Sequence, residues 1–205
     1  MSKYLEVFVG PMFSGKTSIL FEKIAIANSI NKTKEINSLY ICHSLDDQRE
    51  FTSHSSATNF KVSKEKCKIV KTDNLLHFNE QFFIDNKIEL VCIDEAQFFD
   101  GVELYNLILN LLKKESVVDE IYVAGLDGNY EQKVFQNSGI HLLIPLSDKF
   151  KKLRSSICID CFQIDNIKTV ASFTSIKKEI KDKLDENGIL IGGAESWKSV
   201  CRNHL

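Results

Sequence analysis

A glycine-rich stretch near the start of the chain has the spacing of a phosphate-binding loop. It reads G-x-x-x-x-G-K-T and consists of Gly10, Pro11, Met12, Phe13, Ser14, Gly15, Lys16 and Thr17. The glycines permit a tight curve that turns backbone N–H groups toward phosphate oxygens at a helix start. Lys16 is then placed to reach the β- and γ-phosphates, and the Thr17 hydroxyl to hold Mg²⁺. An ordinary glycine turn is the alternative, but an apolar run precedes the motif and a helical pattern follows it, which favours the phosphate site.

Two acids end a second apolar run. Asp94 and Glu95 follow residues 90–93, whose lack of alternation predicts a central parallel strand that is buried on both faces. Ligands of open parallel sheets bind at the carboxyl ends of the strands. Beside a phosphate loop, Asp94 is therefore a candidate for the second residue of the Mg²⁺ site, although two acids could also begin an exposed loop.

Two short cysteine motifs lie in the last quarter of the chain. Cys158 and Cys161 form a C-x-x-C pair, and Cys201 and His204 form a C-x-x-H pair. Three thiolates and one imidazole are a recognised set for a closed, structural zinc site, although four unrelated residues are the alternative. Such a zinc ion would hold the segment between the pairs at both ends, which makes that segment a candidate lid over a small ligand.

The elements that must position these residues alternate between strand and helix. Strands are predicted at 4–9, 38–43, 68–70, 88–95 and 120–126, and helices after the phosphate loop, after Asp73 as cap, and at 101–115 with Asp100 as cap. This order predicts an α/β fold with a mostly parallel sheet flanked by helices. We place a P-loop domain at residues 1–150 and a small zinc-binding lobe at residues 151–205.

Three further stretches are less regular. The basic run at 149–154 is predicted to be the solvated face of a helix, with a phosphate-facing role as the alternative. Pro145 argues against a central strand at 141–146. The polar stretch at 44–64 is too long for an ordinary connection, which is typical of a functional or disordered loop.

The apolar face of the predicted helix 101–115 could pack within one subunit or against a partner.

Composition restricts the class of protein. The chain has 205 residues, 43% of them hydrophobic, and a formal net charge of −2. This charge gives no reason to expect nucleic acid as a partner. The absence of an apolar signal core and of a run of about 18 apolar residues predicts a protein that does not bind membranes. Six cysteines without an export signal predict reduced thiols or metal ligands in the cytoplasm.

These motifs together resemble the type II (cytosolic, zinc-containing) thymidine kinases, with a RecA-like P-loop fold. The Pro-Met-Phe inside the phosphate loop is more particular to that family than the general pattern. The resemblance covers nearly the whole chain in the family's order, and it continues through residues 93–99, 126–128, 191–194 and 199–202, with Tyr130 and Phe135.

The resemblance implies transfer of the γ-phosphate of ATP to the 5′-hydroxyl of thymidine, and of deoxyuridine, in nucleotide salvage. Glu95 is then the catalytic base, one residue past the Mg²⁺-site acid. Asp47 and Arg49 assist the phosphate and metal side, with Asp46 as the alternative to Asp47. Gln97 binds either the sugar or the phosphate side.

The resemblance also implies the nucleoside pocket. Its residues are Met12, Phe98, Leu126, Tyr130, Phe135, Ile189, Leu190, Ile191, Gly192 and Trp197. This sequence departs from the family at three positions. Lys168 stands where a small threonine would border the thymine methyl group, Trp197 replaces a lid tyrosine, and His204 is the fourth zinc ligand where many members have cysteine.

The family further implies a homotetramer and feedback inhibition by thymidine triphosphate. The nearest alternative is a kinase for another deoxynucleoside. More distant ones are a P-loop ATPase that acts on nucleic acid, which would be expected to have a basic face, and a zinc-ribbon binding module, which would leave Lys16, Asp94 and Glu95 unexplained.

Overall fold

A six-stranded parallel sheet forms the centre of the molecule. The computed structural model describes residues 2–30, 37–45, 67–155, 157–183 and 192–205. The strands of this sheet are β1 (Tyr4–Val9), β2 (Asn37–His43), β3 (Cys67–Thr72), β4 (Ile88–Asp94), β5 (Glu120–Gly125) and β6 (Lys149–Lys152). Their order is β3-β2-β4-β5-β1-β6, and every pairing is parallel. The predicted α/β fold with a mostly parallel sheet is therefore confirmed.

Helices cover both faces of the sheet. They are α1 (Lys16–Ile30), α2 (Glu80–Asp85), α3 (Gly101–Leu111) and, beyond the sheet, α4 (Ile159–Asp165). Short 3₁₀ helices lie at Ala96–Phe98, Ile140–Leu146, Lys178–Lys183 and Arg202–His204. A separate antiparallel pair, β7 (Phe173–Ile176) and β8 (Trp197–Val200), follows α4. Within the described ranges, no helix is both long enough and apolar enough to cross a membrane.

The alternation of each central strand divides the core in two. On β4, Val91 and Ile93 join the cluster that includes α3, whereas Leu90 and Cys92 join the cluster that includes α1. All four residues are buried, so β4 is enclosed on both faces as its apolar sequence predicted. A third, smaller cluster surrounds the cysteines near the C-terminal end.

The basic run at 149–154 is not a helix, and this prediction was wrong. Residues Lys149–Lys152 form β6, which pairs with β1 at the edge of the sheet and exposes all four of its side chains. A sheet edge tolerates a row of lysines because their charged ends remain in water. Backbone pairing with β1 thus decides the conformation of a segment whose charges fit a helix surface equally well.

Two helix boundaries also differ from the prediction. Asp73 does not cap α2, because the side chains of Thr72 and Asn74 hold a turn by accepting the backbone N–H groups of Asn74 and Leu76. The helix begins at Glu80, after Asn79 accepts the N–H of Phe82 at 3.0 Å. The predicted Asp100 cap of α3 is confirmed, although this helix ends at Leu111. Its apolar face, which includes Leu104, Leu107, Ile108 and Leu111, is buried inside this chain.

A buried carboxylate on β1 ties three elements together. Glu6 is 1% exposed and accepts from Lys23 of α1 at 2.9 Å and from Lys149 of β6 at 3.0 Å. Burial raises the pKa of Glu6, but the hydrogen bonds and charges of the two lysines outweigh burial and leave the pKa below its ordinary value. The ionised form is therefore the one that stabilises the fold.

We expect Glu6→Gln to lower the free energy of unfolding by about 2 kcal/mol at neutral pH, because two lysines lose their charged partner. Since the folded-state pKa of Glu6 is lowered, its contribution is complete above the ordinary value of 4.5 and disappears as the pH falls through the folded value. Urea denaturation at neutral pH and below pH 4 measures the free energy of unfolding of both proteins. The matched control is Glu131→Gln, which removes the exposed pair with Lys133 and should change stability little. An equal loss at both pH values would contradict the assignment.

Candidate active site

The phosphate loop follows β1 and leads directly into α1. Gly10 has φ +154° and Gly15 has φ +80°, and a Cβ atom at Gly10 would lie 2.6 Å from the carbonyl oxygen of Leu153. The loop therefore requires glycine at position 10 for two reasons, its φ angle and the close approach of another chain segment. Lys16 donates to the carbonyl oxygens of Gly10 at 3.2 Å and Pro11 at 2.7 Å, which keeps its ammonium group within the curve of the loop.

The predicted metal-site acid lies beside this loop. The carboxylate of Asp94 accepts from the hydroxyls of Thr17 and Tyr40, each at 2.7 Å, and from the backbone N–H of Glu95 at 2.9 Å. Burial, and then the charge of Glu95, raise the pKa of Asp94, while the hydrogen bonds from Thr17 and Tyr40 favour the ionised form. A hydroxyl and a carboxylate are hard oxygen ligands that suit Mg²⁺, so the donor set at this position fits that ion.

Glu95 is held in an unusual backbone conformation. It has φ +51° and ψ +38°, in the left-handed region that few non-glycine residues adopt. Its carboxylate accepts from the side-chain amide of Gln97 at 2.7 Å, and Gln97 in turn accepts the N–H of Leu126 at 2.8 Å. Backbone strain of this kind is found most often at active sites, where it directs a side chain. Gln97 thus connects the predicted catalytic carboxylate to the end of β5.

Four of the predicted pocket residues are aromatic and form two ring contacts. Phe98 and Phe135 make an edge contact with ring centroids 5.9 Å apart, and the rings of Tyr130 and Trp197 lie 6.4 Å apart. The members of a pair are up to 67 residues apart in the sequence, yet the fold brings these predicted pocket residues into two contacting pairs. Trp197 is 8% exposed and begins β8, so the indole is packed rather than extended into solvent.

Three residues near the site were missed by sequence reasoning. Thr174 of β7 accepts the backbone N–H of Met12 at 3.0 Å, whereas Lys168, predicted to border the thymine methyl group, is exposed. His43 packs against Phe98 with ring centroids 5.9 Å apart, and burial lowers its pKa. Tyr40 binds Asp94. Only the polar hydroxyl of Tyr40, inside an apolar strand that would have to provide it with a partner, gave a usable signal.

Several predicted residues lie outside the described part of the chain. These are Asp46, Asp47, Arg49, Ile189, Leu190 and Ile191. Leu126 and Gly192 are described. Leu126 follows β5, and Gly192 lies so close to Ser196 that a Cβ atom there would be 2.7 Å from the Ser196 hydroxyl oxygen.

The four predicted zinc ligands form one cluster. The sulfur atoms of Cys161 and Cys201 are 3.7 Å apart, and His204 Nδ1 lies 3.6, 3.4 and 3.5 Å from the sulfurs of Cys158, Cys161 and Cys201. A tetrahedral Cys₃His zinc site requires about 3.8 Å between sulfurs and about 3.6 Å between sulfur and nitrogen. The geometry therefore fits zinc, and the four ligand atoms lie within 4.8 Å of one another.

One thiol of the cluster, that of Cys158, has a lowered pKa. Burial raises the pKa of Cys158, but backbone N–H groups of Cys161 and Cys201 and the side chains of His204 and Cys161 lower it to about 7 overall. A thiolate is the form that binds a metal ion. The lowered pKa of Cys158 and the distances between the ligand atoms therefore both favour metal binding.

Comparison with known proteins gives the family. The protein-family model described as thymidine kinase matches residues 3–205. The chain belongs to the thymidine kinase family. It is 34% identical over 200 residues to the thymidine kinase of Choristoneura biennis entomopoxvirus, covering 97% of this chain and 94% of the relative. It is 29% identical to thymidine kinase a of Arabidopsis thaliana, covering 98% of this chain and 74% of the relative.

Membership in the thymidine kinase family makes this protein an ATP-dependent nucleoside kinase and confirms the predicted enzyme class. The family implies ATP and Mg²⁺. In this chain the phosphate loop carries the Lys16 ammonium group, and the Thr17 hydroxyl lies beside the Asp94 carboxylate. Glu95 and Phe98 follow the carboxyl end of β4, and the carboxyl ends of parallel strands are where such sheets bind their ligands.

We expect Gly125→Ala to lower kcat/KM for nucleoside phosphorylation about tenfold or more, because the new Cβ atom would lie 2.7 Å from Gln97 Oε1. Together with Gln97→Ala and the double variant, Gly125→Ala forms a double-mutant cycle in which kcat/KM is measured by steady-state kinetics. If Gly125→Ala acts by displacing Gln97 from Glu95, the double variant should lose no more activity than Gln97→Ala alone. Additive losses would contradict this route.

Proposed function

We propose that this protein transfers the γ-phosphate of ATP to the 5′-hydroxyl of thymidine, and of deoxyuridine, to give the nucleoside monophosphate. The observation that carries the proposal is the position of Glu95. It directly follows Asp94, its carboxylate is fixed by Gln97, and it is followed three residues later by Phe98, which contacts Phe135. A base held between a phosphate loop and an aromatic pocket is what transfer to a nucleoside hydroxyl requires.

The residues of the phosphate side have separate tasks. Backbone N–H groups of the loop and the ammonium group of Lys16 bind the β- and γ-phosphates of ATP. Thr17 and Asp94 would hold Mg²⁺, which reduces the negative charge on the phosphate oxygens when bound. Asp47 and Arg49 are further proposed contacts on this side, supported by the family resemblance alone.

Glu95 acts on the nucleoside. As the 5′-oxygen forms its bond to the γ-phosphorus, the bond from that phosphorus to the departing ADP oxygen breaks, and the hydroxyl proton passes to the Glu95 carboxylate. Gln97 orients that carboxylate through the hydrogen bond of 2.7 Å. Since phosphoryl transfer depends mainly on positioning and electrostatics, this fixed orientation is the main contribution of the pair.

Shape supports a pyrimidine as the base. The proposed pocket comprises Met12, Phe98, Leu126, Tyr130, Phe135, Trp197 and the segment that includes Ile189, Leu190, Ile191 and Gly192. Flat rings suit stacking on a thymine. At this end of the phosphate loop the side chain that contacts Met12 is the small Thr174, whereas Lys168 is exposed.

The proposal is tested by phosphate transfer from labelled ATP to a panel of deoxynucleosides. We expect thymidine to be labelled fastest, and Glu95→Gln to lower kcat by roughly 10²–10⁴-fold while the affinity for MgATP is retained. Glu115→Gln, a change at an exposed acid, is the matched control and should leave kcat unchanged. Preference for another deoxynucleoside would overturn the pocket assignment, and hydrolysis without transfer would favour an ATPase.

We also propose that the Cys₃His cluster binds one structural zinc ion and that residues 151–205 form a lobe over the P-loop domain at residues 1–150. The ligand distances support the metal, and the contact between Met12 and Thr174 supports the arrangement. In this proposal the zinc ion fixes both ends of the segment that covers the nucleoside.

Cys161→Ser is expected to abolish stoichiometric zinc and to lower Tm by about 5–10 °C, because a tetrahedral site loses a thiolate. The KM for nucleoside should rise, since the covering segment loses an anchor. The matched control is Cys67→Ala, which changes a buried cysteine outside the cluster and should retain one zinc per chain by elemental analysis. Full nucleoside affinity without zinc would contradict the proposed lid.

The finer expectations of a homotetramer and of feedback inhibition by thymidine triphosphate are supported by the family resemblance. A cytoplasmic location is supported by the six cysteines, none of which forms a disulfide.

A further inference from the structure

Two hydroxyl groups from different elements converge on one oxygen of Asp94. Thr17 Oγ1 of α1 and the Tyr40 hydroxyl of β2 each donate to Asp94 Oδ2 at 2.7 Å. The other carboxylate oxygen, Oδ1, accepts the backbone N–H of Glu95 at 2.9 Å. The orientation of the carboxylate is thus fixed by three donors, and only Tyr40 approaches from the neighbouring strand.

The fold holds the Tyr40 ring rigidly. In the parallel register of β2 and β4, Tyr40 lies opposite Cys92, two residues before Asp94 on the same face of the strand. Its ring is 4% exposed and stacks on Phe21 with centroids 4.9 Å apart and planes 18° apart. Phe21 lies four residues after Thr17 on α1, so both residues face the same side of that helix. The stacked pair therefore places the hydroxyl close to that of Thr17.

A simpler interpretation is that Tyr40 is a core residue whose hydroxyl uses the nearest acceptor. Buried tyrosines generally find such a partner. Here, however, the acceptor is the charged group of the metal site, and hydrogen bonds to ionised groups are shorter and stronger than those between neutral groups. Thr17 has one hydroxyl to serve both Asp94 and the metal ion. Tyr40 holds the same carboxylate oxygen without being in the phosphate loop.

We propose that Tyr40 is a positioning residue whose hydroxyl orients the Asp94 carboxylate toward the magnesium side of the phosphate loop. This inference rests on the proposed roles of Thr17 and Asp94. Loss of the hydroxyl removes one of the three donors, so the Asp94 carboxylate is held less firmly about its terminal torsion, which is broad for aspartate. Metal-dependent nucleotide binding should weaken, whereas contacts between the loop and the phosphates should remain.

The test compares Tyr40→Phe with the unaltered protein by isothermal titration with ADP, in the presence of Mg²⁺ and in the presence of a chelator. Phenylalanine retains the ring and its stacking on Phe21. We expect the affinity for ADP with Mg²⁺ to fall about tenfold and the affinity for ADP alone to change less than twofold. The Mg²⁺ concentration for half-maximal phosphate transfer should rise by a similar factor, with an unchanged KM for nucleoside.

Tyr122→Phe provides the matched control. Tyr122 belongs to the same core cluster, is also buried, and donates to the carboxylate of Glu120 at 2.5 Å, at the opposite end of the sheet from the phosphate loop. The substitution Tyr122→Phe removes a tyrosine–carboxylate hydrogen bond like that removed by Tyr40→Phe. We therefore expect a similar loss of thermal stability but the full Mg²⁺ enhancement of ADP binding. A general loss of packing would instead affect both variants alike.

The possible outcomes separate this inference from the proposed function. An unchanged Mg²⁺ enhancement in Tyr40→Phe, or an equal loss of affinity for ADP with and without the metal, would overturn the positioning role while the kinase assignment stands. If the unaltered protein showed no Mg²⁺ enhancement, the metal role of Thr17 and Asp94 would fail, and this inference with it. In an Asp94→Asn background, Tyr40→Phe should have no further effect on the enhancement.

Discussion

The burial of the Asp94 carboxylate is the constraint on which the rest of the site depends. A charged group at the end of a strand covered on both faces is costly unless donors surround it. The chain provides these donors from α1, from β2 and from the following residue. Each donor fixes one element relative to β4. Satisfying one carboxylate therefore aligns the phosphate loop, the neighbouring strand and the backbone of Glu95 in a single arrangement.

The parallel order of the sheet makes this convergence possible. Strands β1, β2, β4 and β5 all end at the same edge, and β1, β4 and β5 are followed by residues of the candidate site. The phosphate loop comes after β1, Glu95 after β4, and Leu126 after β5. Gln97 links the last two through its side-chain amide, in the small space left by Gly125. The Glu95 side chain is thus held in place by a residue that is itself bound to the end of β5.

The C-terminal part of the chain is connected to the phosphate loop as well as to its own cysteine cluster. Met12 donates its N–H to Thr174, and Lys152 pairs with Asp127 at 2.5 Å. Near this junction two cations, those of Lys152 and Arg202, lie over the ring of Phe173. Phe173, which packs against the cysteine cluster, and Thr174, which binds the loop, are consecutive residues of β7.

The sequence by itself determined the features that depend on short spacing. These were the phosphate loop, the buried strand that ends in Asp94, the Asp100 cap and the two cysteine motifs, because each is fixed by neighbours within a few residues. Local pattern was not enough for the lysine-rich run at 149–152, whose conformation comes from pairing with β1. The tertiary structure alone decided the contacts of Tyr40 with Asp94 and of Thr174 with Met12, which lie 54 and 162 residues apart. Partners at such distances are chosen by strand order and register, which no local pattern contains.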